Sequence, residues 1–165
     1  EELKAWVKSE GIKNVTLTGG EPLLQDRISE LAEMLLENGC RVEFETNGSV
    51  SVAAISKLRP RPFITMDYKL PSSGMEEHMR RDNFDFLSWT DTVKFVAGSV
   101  DDLETARRII EKYRLCERCH VYISPVFGKI KPETIAEYMI QHRMNGVRLQ
   151  LQIHKIIWEP NRRGV

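Results

Sequence analysis

The sequence predicts an α/β fold: an open partial barrel of about six parallel strands with helices on one face. Three observations predict it. Short β-branched stretches alternate with helical ones along the whole chain, the pattern of a parallel sheet joined by helical crossovers. Those stretches are not the continuous apolar runs of a sheet buried on both faces, because apolar and polar side chains alternate along them. Glycines, carboxylates and hydroxyls also gather where each stretch ends, the carboxyl edge at which α/β folds place their reactive groups.

The elements follow in order. Residues 1–10 read as a helix with Leu3, Trp6 and Val7 on one face and nothing before it to receive that face. The chain is therefore expected to be a fragment, a single domain over 1–165 that lacks the N-terminal part of its fold. The first strand, 14–18, leads into a helix over 22–38 with Leu24, Ile28, Leu31 and Leu35 at helical spacing and Gly39 to stop it. "RVEFETNG", 41–48, alternates with period two, and a short helix over 51–58 precedes the third strand, 63–69. Residues 75–88 read as irregular helix, and "TVKFVAG", 92–98, as the fourth strand. Ser99 caps a helix that runs to Arg114 with Leu103, Ala106, Ile110 and Tyr113 inward. The fifth strand covers 120–124, a helix opened by Pro132 closes at Gly146, and "VRLQLQIHK", 147–155, reads as a sixth strand. In that last stretch Val147, Leu149, Leu151 and Ile153 would face the helices, and Arg148, Gln150, Gln152 and His154 the lumen. Trp89 and Trp158 read as packing residues, and "RRDNFD" as a solvated turn.

Composition excludes several classes. Lys plus Arg equals Asp plus Glu at 24 each, which gives no electrostatic footprint for nucleic acid or an anionic membrane. No apolar run approaches the ~18 residues of a membrane span. Three cysteines, an odd count, argue against a disulfide framework and for a reducing compartment, so a cytoplasmic setting is expected. Cys116 and Cys119 are spaced C-x-x-C but stand alone, a weak metal signal, and Cys40 reads as a small packing residue.

The stretch "VTLTGGEP", 15–22, carries the most chemistry. A β-branched run ends in two glycines, a carboxylate and a proline suited to the first turn of a helix. It matches neither G-x-x-x-x-G-K-[ST] nor G-x-G-x-x-G, and Glu21 would repel a phosphate. Exposed carbonyls beside a carboxylate suit an ammonium group; a plain tight turn is the structural alternative.

Those strand ends, taken in order, resemble the radical S-adenosylmethionine (radical SAM) superfamily: "TGGEP" after the first strand, "ETNG" after the second and "MDYK" at the third. "MDYKLPSSG", "SPVFG" and "LQLQIHKIIWEP" narrow the resemblance to the 7-carboxy-7-deazaguanine synthases of the queuosine pathway, over essentially the whole chain. The resemblance implies a 4Fe–4S cluster that reductively cleaves S-adenosylmethionine to a 5′-deoxyadenosyl radical. The radical takes hydrogen from 6-carboxy-5,6,7,8-tetrahydropterin, and a Mg2+-assisted ring contraction expels ammonia. It places Gly19, Gly20 and Glu21 at the cofactor's amino group, Gly48 at the cofactor and Thr46 at the substrate. Asp67 and Lys69 would face the cofactor's ribose or carboxylate, and Ser124 and Pro125 its adenosine side. Gln152 and His154 would meet the pterin, with Arg148 and Lys94 as weaker candidates for its carboxylate. Glu45 and Asp67 also fit as salt-bridge partners. An electron donor such as flavodoxin or ferredoxin is implied.

The departure is the cluster motif: no C-x3-C-x2-C is present. Its cysteines and the Mg2+ ligand are expected outside this chain, and the chain alone is expected to be inactive. An unpaired parallel edge near Val15–Thr18 predicts a homodimer or a swapped arrangement there. Two other readings keep parts of the pattern: a radical SAM activase of a glycyl-radical enzyme, which has no need of the Gln150/Gln152/His154 stripe, and a non-catalytic binding module on the same half barrel.

Overall fold

The structure, a computed structural model, describes residues 2–159 and residue 162; at His154 it describes the backbone alone. Six strands form one sheet: β1 (Asn14–Leu17), β2 (Arg41–Thr46), β3 (Phe63–Tyr68), β4 (Thr92–Ala97), β5 (His120–Pro125) and β6 (Val147–Leu149). Their order in the sheet is their order in the chain, and every pairing is parallel. Crossovers that all step the same way, with the usual right hand, put the intervening segments on one face and leave the other open. The helices are α1 (Glu2–Ser9), α2 (Ile28–Glu37), α3 (Val100–Tyr113), α4 (Pro132–Gln141) and the single turn α5 (His154–Ile157).

Burial follows that asymmetry. Val42 and Phe44 on β2, Ile64, Met66 and Tyr68 on β3, Val93 and Phe95 on β4, and Val121 and Ile123 on β5 have no exposed surface. Against them pack Ala32 and Leu35 of α2, Leu103 and Ala106 of α3, and Ile135 of α4. Each large apolar side chain buried this way contributes about 1.5–3 kcal/mol relative to exposure. Alternate residues on the other face are polar: Thr16 and Glu43, then Asp67, Lys94, Tyr122 and Arg148, which lie side by side in register across four strands. The polar lumen expected from the alternation is thus present over β1–β5.

Several expectations need correction. The helix over 22–38 is broken: a 3-10 turn, Pro22–Leu24, is followed by Arg27 at φ 62, and α2 begins only at Ile28. Leu24 consequently points out, 69% exposed. Of the α1 face only Val7 is buried; Leu3 and Trp6 are exposed. The helix over 51–58 is reduced to one turn, Ile55–Lys57, and residues 75–88 fold as 3-10 turns, Glu76–His78 and Arg81–Phe86. The helix before Gly146 ends at Gln141, well short of it. The sixth strand stops at Leu149 because β5 offers it no further ladder beyond a last bond from Gln150 N to Ile123 O (2.9 Å). Leu151 and Ile153, expected against the helices, are exposed, and the chain turns into α5. Trp89 and Trp158 do not pack: they are exposed, Trp89 by 78%. "RRDNFD" is not a solvated turn, since Asn83 and Phe84 have no exposed surface.

Candidate active site

The carboxyl ends of β1 and β2 meet at one buried carboxylate. Gly19 (φ 92) and Gly20 (φ 43) turn the chain after β1 through left-handed backbone, and a Cβ at either would point into open space. The turn delivers Glu21, 6% exposed, to the head of the Pro22–Leu24 turn, where it accepts from Leu23 N (3.1 Å). Its carboxylate also accepts from Asn47 N (2.7 Å) and from the Thr46 hydroxyl (2.8 Å to one oxygen, 2.9 Å to the other). Every one of these donors is neutral. Among the described residues no Lys, Arg or His forms an ion pair with Glu21, whereas most other charged groups of the lumen have one.

Thr46 is only 3% exposed, and its hydroxyl is committed twice: it donates to Glu21 and accepts from Gly48 N (3.1 Å). Its observed work is to hold the corner. Gly48 has φ 76, a left-handed backbone that favours glycine, and a Cβ there would lie 2.6 Å from Met79 Cε and 3.0 Å from Met66, so the two methionines would have to shift. Its carbonyl accepts from Arg80 N (3.0 Å) and Asn83 Nδ2 (3.2 Å). Nothing in the pattern of "RRDNFD" marks Asn83, because 3-10 turns carry no apolar period to read.

Beside the corner lies a polar cleft of about 190 Å3, lined among others by Thr18, Gly20, Thr46, Asp67, Lys69 and Lys94. Lys69 Nζ stands 3.3 Å from Asp67 Oδ2 and Lys94 Nζ 3.5 Å from Glu45 Oε1, so the salt-bridge reading of Glu45 and Asp67 holds. Both pairs are partly exposed, and at such sites an ion pair is worth little. The lysines therefore remain able to turn to an anionic ligand group. The loop after Lys69 is anchored from outside the cleft: the fully buried Asp102 accepts from Ser72 N (3.0 Å), from the Ser72 hydroxyl and from Gly98 N (2.7 Å).

The far end of the rim differs. Ser124 and Pro125 are buried, and Pro125 borders a larger, mainly apolar cavity of about 470 Å3 with Phe127, Ile130, Leu151, Gln152 and Ile156. Gln152 is not on a strand, yet it reaches this cavity, and its Oε1 is buried with no hydrogen-bond partner among the described residues. Such an atom is costly to leave unmatched and fits a ligand donor. The side chain of His154 lies outside the described residues. Arg148 stays at the lumen edge, over the Tyr122 ring (5.6 Å) and 3.1 Å from His120 Nδ1.

The cysteines do not join this site. Cys40 precedes β2, and Cys116 and Cys119 precede β5, all at the amino ends of the strands. Burial pushes the Cys116 thiol up and the Cys119 thiol up to about 12, so both are protonated packing groups. The glycine corner, Glu21 and the cleft fit the amino acid portion of S-adenosylmethionine; the three thiols do not fit an iron–sulfur cluster.

Residues 1–114 match the family profile described as the Radical SAM superfamily. A 7-carboxy-7-deazaguanine synthase from Clostridium acetobutylicum is 53% identical, over 100% of this chain and 75% of the relative. One from Chlorobaculum tepidum is 38% identical, over 92% of this chain and 68% of the relative. The fold resembles the crystal structure of QueE from Escherichia coli, with a TM-score of 0.66 at 22% identity over 91% of this chain and 61% of that one. Streptococcus suis SuiB bound to S-adenosylmethionine shares the fold, with a TM-score of 0.63 at 12% identity over 91% of this chain and 40% of that one.

Proposed function

The chain belongs to the radical SAM superfamily and to its 7-carboxy-7-deazaguanine synthase family, and we propose that it binds S-adenosylmethionine on the Gly19–Gly20–Glu21 corner and converts 6-carboxy-5,6,7,8-tetrahydropterin to 7-carboxy-7-deazaguanine with loss of ammonia. The observation that carries the reading is Glu21: a buried carboxylate with three neutral donors and no cation, beside two glycines that leave the approach open. An ammonium group supplies the missing charge and donates to the remaining lone pair, a charge-assisted bond.

The chain's own residues then divide the work. Glu21 and the carbonyls of the glycine turn hold the amino group. Lys69 meets the cofactor carboxylate as a point charge, and Asp67 lies next to it for the ribose. Ser124 and Pro125 border the adenosine side, and Gln152 offers its free acceptor to a donor of the pterin. His154, Lys94 and Arg148 stay candidates for the substrate's ring and carboxylate, while Thr46 and Gly48 serve by fixing Glu21. When bound to a reduced iron–sulfur cluster, the cofactor supplies a radical able to take hydrogen from carbon; the protein orients the partners and keeps water out. The reading further includes Mg2+, a flavodoxin or ferredoxin as reductant, a cytoplasmic setting and a homodimer.

The test uses the full-length protein. Calorimetric titration with S-adenosylmethionine should give saturable binding that Glu21→Gln weakens at least about tenfold, the loss of one charged hydrogen bond. Anaerobic reaction with the carboxytetrahydropterin should give the deazaguanine product. Unchanged binding by Glu21→Gln overturns the site; cofactor cleavage without ring contraction overturns the substrate.

A further inference from the structure

Asn83 is fully buried, comes from a 3-10 turn on the helix-covered face, and belongs to no motif of the rim. Its side chain nevertheless clasps the loop after β2 at three points: Nδ2 donates to Gly48 O (3.2 Å) and Val50 O (2.9 Å), and Oδ1 accepts from Val52 N (3.0 Å). The bonds continue toward the corner. Gly48 N donates to the Thr46 hydroxyl (3.1 Å), which donates to Glu21 (2.8 Å). Asn83, Gly48, Thr46 and Glu21 thus form one unbroken series. The peptide planes on both sides of Gly48 are tied, one to Asn83 and one to Thr46, and Met79 and Met66 occupy the space that a Cβ at Gly48 would enter.

We propose that Asn83 is a positioning residue for cofactor binding, setting the orientation of the Glu21 carboxylate through Gly48 and Thr46. The proposal rests on the reading of Glu21 as the ammonium site. Only a carboxamide of this length offers two donors and one acceptor from one position. A carboxylate there keeps the acceptor for Val52 N and turns an oxygen against two carbonyls. No competing titration intrudes: residues 48–52 carry no charge, and the charged neighbours on the Asn83 turn are paired, Arg80 with Asp82, Arg81 with Glu76 and Asp85 with Arg118.

The experiment is calorimetric titration of S-adenosylmethionine into full-length wild type, Asn83→Asp, Asn83→Ser and Glu21→Gln, at pH 5.5 and pH 8, with thermal melts of each. A buried carboxyl facing two carbonyls titrates above the ordinary carboxylate range, and only its neutral form can donate to Gly48 O. Asn83→Asp should therefore bind about tenfold more weakly than wild type at pH 8 and about threefold more weakly at pH 5.5, where its single O–H can serve one of the two carbonyls. Asn83→Ser, which keeps a single hydroxyl, should lose about threefold at both values. A folded Asn83→Asp that binds like wild type at pH 8 overturns the proposal. If that variant does not fold at pH 8, Asn83→Ser decides, and wild-type affinity in it is the overturning result. If Glu21→Gln binds like wild type, the reading of Glu21 falls; if Glu21→Gln loses affinity while the Asn83 variants keep it, only the role of Asn83 falls.

Discussion

Two buried carboxylates, one at each end of the half barrel, are completed differently; a third, Asp102, faces away from the cleft and ties the loops after β3 and β4 together. At the amino ends of β3 and β4, Asp91 has no exposed surface and takes a bidentate ion pair from Arg61 (2.9 and 2.7 Å), plus Ile64 N (2.9 Å), Ser88 N (2.7 Å) and the Ser88 hydroxyl (3.1 Å). At the carboxyl ends of β1 and β2, Glu21 has three neutral donors and no cation among the described residues. Both are hydrogen-bonded, as burial requires. The floor carboxylate has its charge neutralised within the chain and serves only to staple the Arg61 segment to β3 and the turn before β4. The rim carboxylate keeps an unbalanced charge, which is what a site for a cationic group needs.

The contrast can be broken from the floor first. Asp91→Ala strands the Arg61 guanidinium and three further donors, so urea unfolding should show a loss of about 3–5 kcal/mol. Affinity of the folded fraction for S-adenosylmethionine should stay at the wild-type value; a loss of affinity larger than the unfolded fraction explains would erase the distinction between floor and rim. Next in size is Gly48→Ala. The left-handed backbone and the crowding against Met79 and Met66 should cost about 2 kcal/mol in the same measurement. Here affinity should fall as well, because the residue lies in the series that ends on Glu21. A more gradual effect, spread over pH, sharpens the view of the floor thiols. Folded Cys119 keeps its proton to about 12, and the unfolded thiol releases it near about 8.5. Between those values the folded form binds more protons. The Cys119 contribution to stability should therefore hold below about pH 8.5 and decline above it, by at most about 1.4 kcal/mol per pH unit, the slope of one proton. Urea midpoints at pH 8, 9.5 and 10.5 measure this, and Cys119→Ala should flatten the decline.

Much of the architecture was legible in the residues. Strands β1 to β5 stand within a residue or two of their period-two stretches, because alternation reports directly on a sheet with one wet face. Ser99 caps α3 as its type and place require, accepting from Asp102 N (3.1 Å). The corner was legible too: two glycines between a strand and a proline allow few conformations. What escaped has physical reasons. "LQLQIHK" alternates as well as any strand, but alternation does not show where pairing ends: β5 runs on past Ile123 only to Ser124 and Pro125, and proline has no N–H to continue the ladder. The break at Arg27 needs a left-handed arginine, which no propensity announces. The commitment of Thr46 to Glu21, and of Asn83 to Gly48, depends on contacts between residues 25 and 35 positions apart. Trp89, read as a packing residue, lies just before β4 and is 78% exposed, because a residue type alone does not say which face of a turn it occupies.

The identity of spatial and chain order in the sheet has a kinetic corollary. Each strand's first partner is the strand translated just before it, so every closure spans a loop of ordinary length and none awaits a distant segment. Emergence from the ribosome can proceed as successive docking onto an edge already laid down. The polar lumen then widens by one strand at each step, and the two segments that meet at Glu21 are joined when β2 docks on β1.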